Sequence, residues 1–148
     1  MRLEWILLAE GVGSNAGGAI TAISINQNVF NPPSFPTVTK RAVLAHFASE
    51  PEETEALVGQ EIAVSAQVVG PSGNTIVANT VSGQFPARPW PDLPGGLDVS
   101  LELPIRVTEY GTYVIKLSTR TPSGDEIEGS VALYVREAIT SPTSIAGS

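Results

Sequence analysis

Three stretches of this chain alternate apolar and polar side chains with a period of two: "QEIAVSAQVV" (60–69), "LDVSLELP" (97–104) and "TYVIKLSTR" (112–120). A β-strand turns successive side chains to opposite faces, so such a stretch is stable where one face is covered and the other is wet. The apolar stripes are Ile62, Val64, Ala66 and Val68, then Leu97, Val99, Leu101 and Leu103, then Tyr113, Ile115 and Leu117. No segment sustains the 3.6-residue period of a helix over a comparable length.

The punctuation agrees with the period. "GPSGN" (70–74) separates "QEIAVSAQVV" from "TIVANTVSG", and "TPSGDE" (121–126) separates "TYVIKLSTR" from "IEGSVALYVRE". Both Pro-Ser-Gly runs carry turn chemistry, so each pair reads as a hairpin, and the duplication does not indicate a solenoid. In the last strand Ile127, Val131, Leu133 and Val135 form the matching stripe. Upstream, "RLEWILLAE", "GAITAISINQNVF" and "TVTKRAVLAHFAS" bring the total to eight strands. Eight strands with short hairpins point to an all-β fold, an antiparallel β-sandwich over residues 1–137 as one domain. The tail at 138–148 is small, polar and Pro-interrupted, and is expected to be flexible.

One segment departs from the pattern. In "SEPEETEALVGQ" (49–60), Ser49 and Glu52 have capping-box spacing, Pro51 fits a first turn and Gly59 a stop. A short helix is expected near 50–58, with Leu57 and Val58 packed down. In the first strand Leu3, Trp5, Leu7 and Ala9 define one face while Ile6 and Leu8 are apolar on the other. Its second half therefore needs cover on both sides, from the helix or from another subunit.

"TEYGTYVIKLST" (108–119) contains "EYGTYVI", which resembles the immunoglobulin pattern of an acid, a small residue, Gly, any residue and Tyr before the penultimate strand. The resemblance implies an immunoglobulin-like sandwich in which Tyr113 is a structural corner residue, its hydroxyl bonded back to the chain between the sheets. Tyr110 stands where that pattern has a small residue, and about a fifth to a quarter of the chain is covered. The chain also resembles a class of small uncharacterised bacterial β-rich proteins. Those open with a strand like "MRLEWILLAE" and close with a Gly-x-Tyr strand and hairpin like "YGTYVIKL". That second likeness implies no activity.

Composition narrows the chemistry. With no cysteine there is no disulfide, thiolate nucleophile or cysteine metal cage. A formal charge of −7 with scattered cations opposes nucleic-acid binding. The apolar run Trp5–Ala9 is too short for a signal core or a membrane span, so a cytoplasmic protein without a membrane partner is expected. His46 is the only histidine, which excludes a multi-histidine metal site. No Gly-x-Ser-x-Gly elbow accompanies it, so His46 reads as a structural residue and no catalytic group is assigned. "GVGSNAGG" (11–18) lacks the Lys-Ser/Thr ending of a phosphate loop and reads as a link between strands. No cofactor is expected.

If each strand crosses the sandwich once, the loops at 10–17, 49–59, 84–96 and 120–126 share an end. That end would gather Glu10, Asp92, Asp125 and Glu126 with the helix glutamates, a possible oxygen-rich site for Ca²⁺ or a carbohydrate. The spacing lacks any dense ligand run, and a solvated acidic end is the plainer alternative. Two loops combine proline with aromatics, "VFNPPSFP" (29–36) and "QFPARPWPDLPGG" (84–96), and fall at opposite ends. Their Phe30, Phe35, Phe85 and Trp90 are the partner-binding candidates, since proline lowers the ordering cost of an exposed anchor. Alternatively these aromatics cap the core. The expected role is a non-enzymatic module for protein contacts, as an adaptor or as a self-associating structural subunit of an oligomer.

Overall fold

The alternating runs pair as two sheets in the computed structural model, which describes residues 1–14, 19–88 and 90–139. Among these residues the elements are β1 (Arg2–Ser14), β2 (Ile20–Ile25), β3 (Val29–Phe30), β4 (Thr37–Ser49), α1 (Pro51–Leu57), β5 (Glu61–Val69), β6 (Thr75–Gln84), β7 (Gly95–Val107), β8 (Gly111–Arg120) and β9 (Glu126–Val135). One sheet has the order β2-β1-β4-β7 and the other β3-β9-β8-β5-β6. Every pairing is antiparallel except β3 with β9. The fold is all-β with one short helix. Most of the tail at 138–148 lies outside the described residues, as does half of the 11–18 glycine run.

The stripes read from the sequence face one shared core. Ile62, Val64, Ala66 and Val68 of β5, Leu97 to Leu103 at alternate positions of β7, and Tyr113, Ile115 and Leu117 of β8 are all buried with Val43, Ala45 and Phe47 of β4. Both Pro-Ser-Gly turns close hairpins. In the first, Gly73 sits at φ +85° and the Gly70 N–H donates to the Asn74 carbonyl at 2.9 Å. In the second, Gly124 sits at φ +95° and the Thr121 N–H donates to the Asp125 carbonyl at 2.9 Å.

Nine strands replace the eight expected, because "GAITAISINQNVF" breaks in two. Ser24 (φ +53°) and Asn26 (φ +62°) enter the left-handed region, which ends pairing with β1. The chain then crosses to the other sheet, where β3 joins β9. This break also undoes the loop parity. Since β2 and β4 both pair antiparallel with β1, they run parallel to one another, and residues 26–36 carry the chain back along the molecule between them.

The first strand also differs from expectation. A register shift between Leu3 and Trp5 leaves Leu3 against the inner core, beside Gly129, while Trp5 lies opposite His46. Ile6 and Leu8 face the core, and Leu7 and Ala9 belong to a second cluster with Ala42 and Leu44. Val12, Ile20 and Ala22 of the β1–β2 hairpin pack on that cluster. The cover for the second half of β1 is thus the chain's own hairpin, not the helix.

Helix α1 starts one residue later than the spacing suggested. Ser49 is still in β4 opposite Gly95, fully buried, and its hydroxyl meets that of Thr54 at 2.6 Å. Glu50 therefore takes the N-cap, and the Glu53 carboxylate accepts its N–H at 2.9 Å as half of a capping box. Leu57 is buried, whereas Val58 is 37% exposed, and Gly59 (φ +80°) ends the turn.

Candidate functional site

The sandwich-like pairing has two ends, and register assigns each loop. Arg2 lies opposite Ala48, Ser49 opposite Gly95 and Glu61 opposite Gln84, so the N-terminus, α1, residues 85–94 and the 121–125 turn share one end. Thr37 lies opposite Val107, which puts residues 31–36 and the 108–110 corner at the other.

At the corner end, Phe35 is 36% exposed and stands edge-on to Tyr110, with ring centroids 4.8 Å apart. Tyr113, three residues on from Tyr110, is fully buried. Its hydroxyl donates to the Glu109 carbonyl at 3.0 Å and accepts from the Thr108 and Glu109 N–H groups at 3.2 and 3.3 Å. These bonds lie where the chain passes from β7 of one sheet to β8 of the other. Phe30, by contrast, packs on the core beneath the Arg41 guanidinium, 5.6 Å from its ring centroid, and offers no free anchor. Burial holds the Arg41 guanidinium below its ordinary value, with the Glu10 carboxylate pulling the other way.

At the helix end the two aromatics of residues 84–96 part company. Phe85 is 1% exposed and belongs to the core, so it is a cap and not a contact anchor. Trp90 is 61% exposed, with Leu93 beside it at 48%. Arg88 ties this loop down, since Nη2 donates to the Pro91 carbonyl at 2.6 Å and to the Pro51 carbonyl at 3.0 Å.

The four acids proposed for an ion site do not assemble. Glu10 follows Ala9, which pairs with Ala42, some seven β4 residues or roughly 23 Å from Ser49 and the helix end. Asp92, Asp125 and Glu126 remain at that end without it. Glu50 and Glu53 are engaged by Arg2, the Met1 amine and the helix cap. Among the described residues no group of three or more histidines and carboxylates is placed to hold a metal ion.

His46 lies on the outer face of the four-stranded sheet, in a row with Trp5 and Asp98. Nδ1 is 2.6 Å from Asp98 Oδ1, Nε2 is 3.3 Å from Glu4 Oε2, and the ring stacks on Trp5 with centroids 5.7 Å apart. Gly96 makes room, because a Cβ there would lie 2.5 Å from His46 Cε1. The Nδ1 contact with Asp98 is a hydrogen bond, whereas Glu4 approaches Nε2 only as a longer contact from an exposed side chain.

Two further features were not singled out from the sequence. The outer face of β6, β5, β8 and β9 forms a trough of about 500 Å³ lined by Ser65, Gln67, Thr80, Lys116, Ser118, Glu128 and Ser130 among others. Period two marks these positions as outward, yet nothing in the pattern indicates a concave face. The second is the outer edge of β6, whose exposure depends on strand order. No helix among the described residues is long and apolar enough to cross a membrane. No protein-family model matches the chain and no curated protein matches its sequence, so these surfaces alone carry the functional reading.

Proposed function

We propose that this chain is a non-enzymatic, immunoglobulin-like β-sandwich module that acts through protein contacts, as an adaptor or as a subunit of an assembly. The observation that supports it is Trp90, 61% exposed on a loop already fastened to α1 by Arg88. An aromatic on a loop held by prolines and by two hydrogen bonds from the Arg88 side chain to backbone carbonyls loses little freedom when a partner covers it, which is what makes a good anchor. Phe35 against Tyr110 offers a second anchor at the opposite end. Affinity capture from the native host with wild-type and Trp90→Ala baits tests the reading. The expected result is a protein retained by the wild type and lost, or held about tenfold more weakly, by the variant. Identical retention by Trp90→Ala and Phe35→Ala baits would remove the support.

The polar trough favours a second reading, a small-ligand module for a carbohydrate. Lys116 and Glu128 line it with no ion pair or side-chain hydrogen bond to another described residue, which leaves donors and acceptors free for hydroxyl groups. Calorimetric titration with soluble oligosaccharides, repeated with Lys116→Ala, decides it. Heats that are absent, or unchanged in the variant, count against the trough.

A further inference from the structure

Among the described residues four strands end a hydrogen-bonded sheet, with β6 and β7 drawn together near Gly83 and Leu97, and three of these edges are blunted in the ways that keep sheets from pairing with strangers. β2 is six residues long and ends at the left-handed Ser24 and Asn26. β3 is two residues long and runs into Pro32 and Pro33. β7 carries Pro104 and the charges Asp98, Glu102 and Arg106. β6 differs from all of them. Its ten residues, "TIVANTVSGQ", contain no proline and no charged side chain, and from Val77 to Gln84 it pairs with β5 without a bulge.

The edge is hydrogen-bonding surface with one light cover. The Thr80 N–H donates to the side-chain oxygen of its neighbour Asn79 at 2.9 Å, so it points away from β5. By the period of two, the N–H groups of Ala78 and Ser82 point the same way. A rotation of the Asn79 side chain frees the central donor.

We propose that β6 is a strand-addition edge and that its occupant is β6 of a second copy of this chain, paired antiparallel across a two-fold axis. Charge argues for a copy. At −7 the protein repels itself over most of its surface, but β6 brings none of that charge to the contact. Side-chain chemistry agrees, since with the axis at Thr80 that residue faces its own copy while Ala78 faces Ser82, and facing threonines are favourable cross-strand neighbours. A foreign extended peptide would take its specificity from pockets beside the edge. The surface flanking β6 is the trough, whose hydroxyl and amide side chains are joined by the small or buried apolar residues Ala66, Ala78 and Leu117 and by no exposed aromatic ring. The two five-stranded sheets would continue as one, closed by the symmetry. This surface is distinct from the Trp90 loop.

Sedimentation equilibrium on the full chain tests the proposal, with two variants checked for native circular dichroism. Ala78→Pro removes an outward N–H without cutting a bond to β5, and Asn79→Lys sets like charges against each other across the axis. The wild type is expected at twice the subunit mass, with the dissociation constant raised about tenfold or more in each variant. A wild type that stays monomeric as concentration rises would overturn the proposal, as would a dimer that persists unchanged in both folded variants. So would loss of the dimer in Trp90→Ala with the β6 variants unaffected. Hydrogen exchange supplies the last arm: protection of the Ala78, Thr80 and Ser82 amides should rise with protein concentration. Protection appearing only when an extended peptide is added would assign the edge to a different occupant and sink the second-copy pairing.

Discussion

The Tyr113 hydroxyl and the Glu109 carbonyl are joined by a 3.0 Å hydrogen bond at the passage of the chain from one sheet to the other. The same oxygen accepts from two N–H groups, so a single side chain satisfies three backbone groups of residues 108–109. Tyr113→Phe keeps the buried ring but strands those groups. It should cost about 1–3 kcal/mol, seen as a melting temperature lower by roughly 3–10 °C with the far-ultraviolet dichroism unchanged. A change within error would mean that water replaces the hydroxyl and that the corner is not held by this bond.

Phe85 and Trp90 are five residues apart and make opposite contributions. Phe85→Ala empties a fully packed site and should destabilise by about 3–5 kcal/mol. Trp90→Ala, at an exposed position, should stay within about 0.5 kcal/mol of wild type. Chemical denaturation of the two proteins side by side checks the contrast.

Glu53 predicts an acid dependence. Its carboxyl is held below the ordinary carboxylate range first by the hydrogen bond from the Met1 amine and then by the Glu50 N–H. Stability from such a group is fully present above the unfolded-state value, near ~4.3, and is lost as pH falls through the lower folded value. Wild type should therefore melt above Glu53→Gln at neutral pH, with the gap closing below about pH 4. A gap that stays constant on acidification would show that the carboxylate's charge is not what matters.

The His46–Asp98 pair is short but partly wet, with Asp98 59% exposed at its side chain. Solvent screening limits such a pair, so Asp98→Asn should cost less than about 1 kcal/mol. The coupling is best measured by a double-mutant cycle with His46→Ala. A coupling well above that bound would imply that Trp5 and Gly96 enclose the pair more tightly than the geometry indicates.

The all-β class, both Pro-Ser-Gly hairpins and the buried stripes were legible because each rests on spacing within one short stretch. Pleat and turn chemistry are local, and Ile62 to Val68 or Tyr113 to Leu117 carry them in their own order. The helix was found but misplaced by a residue, since what disqualifies Ser49 as its cap is a pairing with Gly95 from a distant strand.

What escaped the sequence depends on which strands become neighbours. Glu10 left the acidic end because β2 turns back early at Ser24 and Asn26, and the first strand's outer face is covered by a hairpin that no periodicity announces. Phe85 and Trp90 look equivalent as letters beside prolines, and only packing separates a core cap from an exposed ring. Alternation alone determined that this chain must form sheets with one dry face. Strand order, a property of contacts far apart in sequence, decided which edges and loops were left to meet anything else.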